Sequence, residues 1–503
     1  MKKISILMAA LLVAMTGCQK EPQVTPENPT EVAGYVALKI SLPSTESTKA
    51  DTPFDDGEAY EYKVNDVVVV FYDEAGNFVY HTGVSPEPWD KNGTTTDNIT
   101  VSGKTEAIAI ENPAAAKALV LVNVDGLITD FNKTYDALNA EIAGNAATVT
   151  GTYKDDFFMS NAPYYDGEKF TTLVPVTLKS TENEALESAA NVKVERAAAK
   201  VQVVYDNSDP DFTTTRGTAK ITGWNLDITN KSFFPVRKGL DKVADNGWFK
   251  NDLSAVNDGL LGDLRIYMAV DPNYNEAVAA GAYTTEFDKA DDLDLESQAV
   301  AYCLENTFAI NAQNETQTTR ALLAATYTPT GLTEGETWFQ VGSGKTIMSI
   351  DDFAQYVVIK ANEAGLTALE DEVKALGFVA GNCNTLTFKT KTLKELVGDV
   401  TCYLNGVCYY PVKVRHFTTA ELGYADETAF KTSFEAGGYK ANDLGRYGVL
   451  RNTWYKLTIN SISNPGSPVV PEPTDTPDDK YEQFVACTID ILAWSVRTHG
   501  VDL

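Results

Sequence analysis

Strict alternation of apolar and polar residues near the start of the sequence predicts a strand over residues 34–42. Its apolar side chains share one face: Val36, Leu38, Ile40 and Leu42. A period of two residues is typical of a β-strand that buries one face and exposes the other. Polar, Pro-containing sequence stands on both sides of this strand, so one cut in the chain would separate it from the rest.

A second alternating stretch, residues 484–496, stands at the opposite end of the chain. Four apolar residues share its first face: Val485, Cys487, Ile489 and Ile491. The pattern slips near Leu492 and Ala493, which predicts a bulge, so that Trp494 and Val496 face the other way. A strand at this position is either the last one of its own sandwich or a strand meant for another molecule.

Short apolar runs with turn residues between them fill the rest of the sequence. They predict strands at residues 64–72, 78–80, 117–124, 157–161, 173–179, 192–205, 219–229 and 447–461. Helical spacing is rarer and predicts helices over 131–143 and over 351–376, the second broken near Gly365. Short strands in this number imply a mainly β protein, built from antiparallel sandwiches with a few short helices.

A length of 503 residues suits two such domains, each large enough to bury a core. We predict an N-terminal sandwich over 34–185 and a C-terminal sandwich over 186–463, with the boundary in the acidic stretch 180–190. Because residues 464–480 are rich in proline and acidic residues, we expect residues 464–503 to form a flexible linker followed by the terminal strand.

Residues 1–17 have the pattern of an export signal that is removed. Two lysines precede an apolar run, residues 4–15, which is too short to span a bilayer stably. Residues 15–18 resemble a bacterial lipobox, so Cys18 would carry the acyl chains that hold the protein to a membrane. Residues 18–33 would then be a flexible tether. The alternative is a cysteine that follows the apolar run by chance.

Charge and cysteine content narrow the classes of partner. With 70 Asp and Glu against 41 Lys and Arg, the formal charge of −29 disfavours binding to nucleic acid, although general solvation explains it equally well. Six cysteines become five when Cys18 is assigned to lipid, and an odd number argues against a complete disulfide framework. Asn405 and Gly406 are typical of a hairpin turn, which would place Cys402 and Cys408 on opposite faces and predicts no bridge between them.

No motif supports a catalytic, cofactor-binding or metal-binding site. Residues 342–346, GSGKT, resemble the end of a phosphate-binding loop, but Phe339 occupies the position where the first glycine is needed. The three histidines are far apart in the sequence and form no ligand-spaced pair. The Asp-rich stretch 288–296 lacks the glycine and the spacing of a calcium loop. We therefore predict no cofactor, no metal and no enzyme activity.

Four short motifs resemble fimbrillins, the shaft-forming subunits of type V pili, and in particular the branch of minor-fimbrium major subunits. They are ERAAAKV at 195–201, GWNL at 223–226, CLENT at 303–307 and RNTWYKL at 451–457. The spacing from the last motif through the Pro-rich run to the terminal strand fits the same family, and so does the lipobox.

The resemblance implies two transthyretin-like sandwiches and a route of assembly. Fimbrillins are exported to the outer membrane as lipoproteins, an extracellular protease cuts after the first strand, and a strand from a neighbouring subunit fills the vacated groove. Residues 34–42 would be the removable strand and residues 484–496 the donor. Known members are cut after Arg, but no Arg precedes Arg196 here, so Lys49, followed by Ala50, is the candidate cleavage site.

The predicted function is that of a structural subunit in the shaft of a cell-surface fimbrium, which supports adhesion and biofilm formation. Its partners would be other copies of itself, anchor and tip subunits, the maturation protease and the lipid of the outer membrane. Because donor and groove are different surfaces, their contact propagates as a filament. The alternatives are a tip adhesin or glycan-binding lipoprotein and, ranked last, an outer-membrane hydrolase, for which no motif is present.

Overall fold

The computed structural model describes residues 32–41, 59–85, 90–92, 100–124, 126–141, 157–166, 170–205, 211–239, 269–274, 279–285, 287–290, 300–480 and 485–493. The fold is mainly β with a few short helices, as predicted. Within these ranges, no helix is both long and apolar enough to cross a membrane.

The strands of the N-terminal domain are short and are joined mostly by turns. They are β1 (Gly34–Val36), β2 (Leu38–Ser41), β3 (Val67–Tyr72), β4 (Phe78–Val84), β5 (Asp90–Asn92), β6 (Thr100–Lys104), β7 (Ile108–Ile110), β8 (Lys117–Val122), β9 (Met159–Asn161), β10 (Tyr164–Tyr165), β11 (Phe170–Thr171), β12 (Val174–Pro175) and β13 (Ala190–Arg196). Two helices accompany them, α1 (Tyr135–Asn139) and α2 (Glu182–Glu187). Of the helix predicted over 131–143, the described residues are α-helical only in α1.

One sheet of nine strands surrounds the N-terminal core, in the order β4-β3-β8-β9-β13-β2-β6-β5, with β12 paired to β8. β3 and β8 are buried on both faces, because one face packs into the main core and the other against Phe158, Phe233 and Leu304. A strand covered on both faces has a nearly continuous apolar sequence, as β3 does.

The C-terminal part holds the remaining strands and helices. The strands are β14 (Ala198–Val204), β15 (Asp211–Thr214), β16 (Gly217–Asp227), β17 (Thr229–Asn230), β18 (Phe287–Asp288), β19 (Ala301–Leu304), β20 (Arg320–Pro329), β21 (Trp338–Val341), β22 (Thr346–Ser349), β23 (Gly381–Asn382), β24 (Thr387–Phe388), β25 (Lys391–Thr392), β26 (Val400–Tyr403), β27 (Val407–Lys413), β28 (Thr453–Ile462) and β29 (Val485–Ala493). The helices are α3 (Ile350–Glu363), α4 (Glu370–Lys374), α5 (Leu393–Val397) and α6 (Glu427–Glu435).

Two four-stranded sheets form the C-terminal sandwich. Their strand orders are β19-β14-β28-β29 and β15-β16-β20-β27. Inward-facing residues from both sheets, including Trp224, Leu323 and Leu457, fill one core between them. This alternation of buried and exposed positions is what an antiparallel sandwich requires.

Residues 338–403, which we name the insertion module, lie between β20 and β27 and have their own core. The sheet β22-β21-β26-β23 packs against α3, α4 and α5. The break predicted near Gly365 is confirmed, because α3 ends at Glu363 and Gly365 has a positive φ of 79°. The α3 N-terminus is capped by Ser349, whose hydroxyl accepts from the Asp352 amide.

The predicted domain boundary at residues 185 and 186 is wrong by one strand. β13 pairs in parallel with β2 and antiparallel with β9, so it belongs to the N-terminal sheet. Ala197 separates β13 from β14, which pairs with β19 and β28 in the C-terminal sandwich. The chain thus passes from one domain to the other within a nearly continuous strand. The acidic stretch 180–190 is polar because it contains α2, which is exposed to solvent, and it is not a linker between the domains.

The predicted hairpin at Asn405 and Gly406 is also wrong. Residues 404–406 form a short 3-10 turn between β26 and β27, which pair with different strands in different sheets. Cys402 therefore lies in the core of the insertion module, whereas Cys408 lies in the core of the sandwich. The turn residues were identified correctly, but sequence alone does not show that two sheets meet at this turn.

Candidate assembly site: the first strand and the terminal strand

The first strand of the fold, β1 and β2 with Ala37 between them, has backbone partners on both sides. β1 pairs antiparallel with β7, and Tyr35 exchanges two main-chain hydrogen bonds with Lys179 on its other side, at 2.8 and 2.9 Å. β2 lies between β13, which is parallel to it, and β6, which is antiparallel. The first strand is therefore internal along its described length.

The apolar side chains of the first strand are part of the N-terminal core. Val36 is 2% exposed, and Leu38 and Ile40 are 0% exposed. They pack with residues of β3, β8 and β13, while Lys39 is exposed. The predicted single buried face is confirmed for these three residues, whereas Leu42 lies outside the described residues.

The start of the first strand is seated closely against the segment that follows β12. A Cβ atom at Gly34 would lie 2.9 Å from the Leu178 Cβ atom and 2.9 Å from the Lys179 carbonyl oxygen. Distances this short mean that a larger residue would displace one of the two segments. Gly34 therefore permits the close approach of the two backbones.

The terminal strand, β29, occupies an edge of the C-terminal sandwich. Among the described residues it pairs only with β28, to which it is antiparallel. The register sets Ile491 opposite Tyr455 and Ile489 opposite Leu457, and both β28 residues are buried in the sandwich core. Cys487 is half-buried and packs against the same core. The terminal strand is thus the last strand of its own sandwich in this structure.

The bulge predicted near Leu492 and Ala493 is not there. The ladder is regular at these two residues, and its irregularity lies in β28, between Ile459 and Ser461. In a regular strand, odd- and even-numbered residues face opposite sides. Residues 491 and 492 therefore differ in direction without any bulge. Trp494 and Val496 lie outside the described residues.

Residues 464–480, which we name the strap, are attached to the C-terminal domain rather than free. Ser467 exchanges two main-chain hydrogen bonds with Tyr409, at 2.9 and 2.8 Å. Further along, the Tyr283 hydroxyl donates to the Glu472 carboxylate at 2.8 Å. The prediction of a flexible linker over this run is therefore wrong. Proline removes backbone donors without preventing side chains and carbonyl groups from making such contacts.

The strap ends at an anchor built around Asp479. Arg446 donates to both oxygens of this carboxylate, at 2.9 and 3.0 Å, and the hydroxyls of Tyr447 and Tyr439 donate at 2.8 and 2.9 Å. The Arg446 side chain is 1% exposed. A two-pronged contact between a guanidinium and a carboxylate fixes geometry as well as charge. The chain is thus held immediately before residue 480.

The neighbouring Asp478 makes a second anchor with Lys413. The two charged groups lie 3.3 Å apart, and the Thr318 hydroxyl donates to the Asp478 carboxylate at 2.5 Å. Burial raises the pKa of Asp478 to about 6, because the loss of hydration outweighs the attraction of the Lys413 ammonium. Near neutral pH this carboxylate is ionised, and its partners only partly offset the free energy lost when the charge is removed from water.

Three of the four family-like motifs meet at a buried junction between the two domains. They contribute to three ion pairs: Lys200 with Glu61 at 2.7 Å, Arg237 with Glu195 at 2.6 Å and Arg451 with Glu305 at 3.2 Å. Trp454, on β28, packs into the N-terminal core beneath the Lys200 ammonium. Breaking one partner of such a pair leaves a buried charge uncompensated. The pairs of Lys200 with Glu61 and of Arg237 with Glu195 join the two domains, whereas Arg451 and Glu305 pair within the C-terminal part.

The motif that resembled a phosphate-binding loop has a different role. Residues 342–345 form the turn between β21 and β22, which pair antiparallel as a hairpin, and Thr346 is the first residue of β22. A phosphate-binding loop instead joins a strand to the N-terminus of a helix. In the described part of the chain, no cluster of His, Cys, Asp and Glu is suited to hold a metal ion.

Several predicted site residues cannot be placed. They lie outside the described residues: Cys18, Leu42, Lys49, Ala50, Trp494 and Val496. The anchors of the strap are functional candidates that sequence reasoning missed. Their signal is the pair of adjacent acidic residues, 478 and 479, which directly follows the last proline of the run.

The fold defines a β-rich, two-domain protein whose first strand is internal and whose last strand is at an edge. Residues 401–500 match the family model described as "Major fimbrial subunit protein type IV, Fimbrillin, C-terminal". Over these residues the chain is similar to the C-terminal part of fimbrillins, which are fimbrial subunit proteins. The match confirms the resemblance seen in the motifs.

Among solved structures, the chain is similar to a candidate cell adhesion protein from Bacteroides eggerthii, at 14% identity and a TM-score of 0.37, covering 93% of this chain and 99% of the other. It is also similar to the tip fimbrial protein Mfa3 of Porphyromonas gingivalis, solved with a C-terminal truncation, at 12% identity and a TM-score of 0.35, covering 90% and 99%. No curated protein matches the chain.

Proposed function

We propose that this chain is a shaft subunit of a cell-surface fimbrium that is matured by proteolysis and polymerises by exchange of strands. In the proposal, export as a lipoprotein attaches Cys18 to the outer membrane, and cleavage after Lys49 releases the first strand. The observation that supports it most is the contrast between an internal, buried first strand and an edge strand at the other end. The fimbrillin match supports the same class of assembly.

Removal of the first strand would open the N-terminal domain along its length. β6, β7 and β13 would each lose a backbone partner, and the core would lose Val36, Leu38 and Ile40. An incoming strand with the same alternation would restore both losses, as in strand addition to other open sheets. Several net hydrogen bonds at about 1 kcal/mol each and a few buried side chains at about 1.5–3 kcal/mol each give on the order of 10 kcal/mol before ordering costs.

The terminal strand suits the role of donor because, among the described residues, it is paired on one side only, with β28. Its alternating positions are those that a groove with one apolar side would accept. In the separate subunit it covers its own sandwich, which protects the edge of β28 from unspecific pairing. Donation would exchange this one-sided pairing for pairing on two sides, which favours the polymer.

The buried junction supports a role in a shaft. Two ion pairs, Lys200 with Glu61 and Arg237 with Glu195, and the packing of Trp454 join the two domains within one subunit, so that a pull on one domain is transmitted to the other. The segment between β13 and β14 contains a single residue, Ala197, which leaves no slack between the sheets. These features suit a repeated unit of a filament under load.

The second candidate, a surface protein that binds a glycan or adheres at a tip, would need a site to hold its ligand. A cleft of about 430 Å³ lies between the strap and the insertion module, with Tyr409 and Lys289 in its wall. The rest of the wall is mostly apolar, including Pro468 and Val469. Because Lys289 is already paired with Glu472, few polar groups remain to orient a sugar.

Limited proteolysis tests the proposed function. The mature protein is treated with a small amount of trypsin, its new N-terminus is read, and multimers are sought on gels without boiling. We expect a cut after Lys49, followed by ladders that collapse on heating, and neither in a Lys49→Gln variant. Clean cutting at Lys49 with a protein that stays monomeric under assembly conditions would contradict the proposal and favour the surface-binding alternative.

A further inference from the structure

Two cysteines of the insertion module lie beside each other on neighbouring strands. β23 pairs antiparallel with β26, with Gly381 opposite Cys402, and the Cys383 amide donates to the Val400 carbonyl oxygen at 3.1 Å. Cys383 is therefore opposite Val400, two residues along the same strand from Cys402. Residues two apart on a strand share a face, so the two cysteines are diagonal neighbours on one side of the sheet.

The two thiols are in contact inside the core of the module. Both side chains are 0% exposed, and the Cys402 thiol donates a hydrogen bond to the Cys383 sulfur. In the folded module this bond lowers the pKa of the Cys383 thiol below its ordinary value. Thiols that already touch need little movement to reach the geometry of a disulfide.

The other described cysteines have different neighbours. Cys408 donates to the Tyr410 hydroxyl at 3.4 Å, and Cys303 is buried in the sandwich core. Cys487 lies on the terminal strand. An odd number of cysteines argues against a complete framework of disulfides but leaves room for one local pair.

We propose that Cys383 and Cys402 form a disulfide bond in the exported protein, a modification that goes beyond the proposed role in a filament. The oxidant is a disulfide-bonded thiol oxidoreductase of the cell envelope. One of the two thiolates attacks its disulfide to give a mixed disulfide, and the other thiolate then attacks the protein sulfur of that bond and releases the enzyme as a dithiol. Two electrons pass to the oxidoreductase, and the two thiol protons end on its sulfurs.

The bond closes a loop that contains β24, β25 and α5. Since both sulfurs are fully buried after folding, the exchange takes place while the module is still open. Constraint of such a loop restricts the unfolded chain and stabilises the module outside the cell, where no thiol pool keeps cysteines reduced. The same disulfide bond would be present before cleavage, after cleavage and in the assembled filament.

Alkylation and peptide mapping of protein isolated from the cell surface test the proposal. The unreduced protein is denatured and treated with iodoacetamide, and is then digested with trypsin and chymotrypsin. Chymotrypsin is required because no Lys or Arg separates Cys402 from Cys408, whereas Tyr403 does. We expect a linked pair of peptides containing Cys383 and Cys402, both alkylated only after reduction, with Cys303, Cys408 and Cys487 alkylated throughout.

Serine variants provide a second readout. Cys383→Ser and Cys402→Ser should each free one thiol for alkylation, and both single variants and the double variant should lower the melting temperature of the module equally, by about 5 °C or more. Cys408→Ser is the matched control and should leave the linked peptides intact. Alkylation of both Cys383 and Cys402 in the unreduced exported protein, or a link from Cys402 to Cys408, would overturn the proposal.

Discussion

The first strand and the terminal strand have the same alternating pattern but opposite positions in the fold. The first strand lies between neighbours on both sides and buries Val36, Leu38 and Ile40 in a core. The terminal strand has a neighbour on one side only, among the described residues. Loss of the first strand would therefore open the N-terminal domain, whereas departure of the terminal strand would remove only its ladder with β28.

The two strands also differ in how the chain holds them. The first is followed by polar sequence that contains Lys49, where one cut would separate it. The terminal strand follows a strap that is anchored at Asp478 and Asp479, so its base is held while its body is at an edge. Under the proposed function, the first strand would be the one that is removed and the terminal strand the one that is presented.

Deletion of residues 481–503 should have the largest effect on this contrast. We expect a folded monomer that does not elongate, because only an edge strand is lost and the anchored strap remains. Circular dichroism checks the fold, and unboiled gels check for multimers. Removal of residues 497–503 alone is the control and should leave elongation intact. Fibres formed by the longer deletion would show that the terminal strand is not the donor.

Asp479→Asn tests whether the base of the terminal strand is anchored. The variant removes one of the two carboxylates that pair with Arg446, while Glu427 stays at 2.9 Å. Loss of hydrogen bonds between charged, buried groups should lower the free energy of unfolding by about 1.5–3 kcal/mol. Denaturant titration measures the loss. Asp475→Asn, at an exposed position of the same strap, should change stability by less than about 1 kcal/mol. Equal effects at the two positions would mean that the anchor is unimportant.

Leu38→Ala separates the precursor from the assembled form. The uncut protein should lose about 2–5 kcal/mol of unfolding free energy, since a fully buried leucine becomes a cavity. Assembled fibres should dissociate at the same temperature as fibres of the unchanged protein, because the first strand has left them. Lys39→Ala, on the exposed face of the same strand, should affect neither. Fibres weakened as much as the precursor would show that the strand stays in place.

The pH dependence that Asp478 gives to the free energy of unfolding should be the smallest of these effects. The folded-state pKa of Asp478, about 6, lies above the usual value of a free carboxyl group, so the folded state binds more protons between about pH 4 and pH 6. The contribution of Asp478 to stability is therefore highest below this window and falls as pH rises through it, by at most about 1.4 kcal/mol per pH unit. Asp478→Asn should lack this slope when unfolding is measured from pH 4 to pH 7. Parallel profiles would contradict the assignment.

Much of this fold follows from local pattern. The alternation over residues 34–42, the apolar run of β3 and the helix break near Gly365 were predictable, because burial of one face or both imposes a period on the sequence. The family motifs were recognisable for a related reason, since Arg451 and Glu305 must retain their charges as a buried pair.

The features that the sequence did not predict depend on contacts between residues that are far apart in the chain. The strap has the composition of a flexible linker, yet Arg446, Tyr439 and Tyr447 bind its last acidic residue. The turn at Asn405 was identified, but its two strands belong to different sheets. Likewise, nothing local shows that β13 pairs with β2 across more than a hundred residues. Long-range pairing decides these cases, and composition does not encode it.

A displacement assay tests most directly whether the terminal strand replaces the first strand in the same groove. Protein that ends at Lys480 is cut after Lys49, and a peptide of residues 481–503 is added while release of the labelled N-terminal fragment is followed. Release of the fragment is the readout, because the truncated protein also leaves the edge of β28 open to the peptide. We expect the peptide to release the fragment from cut protein only, and a peptide with Ile489→Asp to leave it in place. Retention of the fragment in the presence of excess unchanged peptide would contradict the exchange.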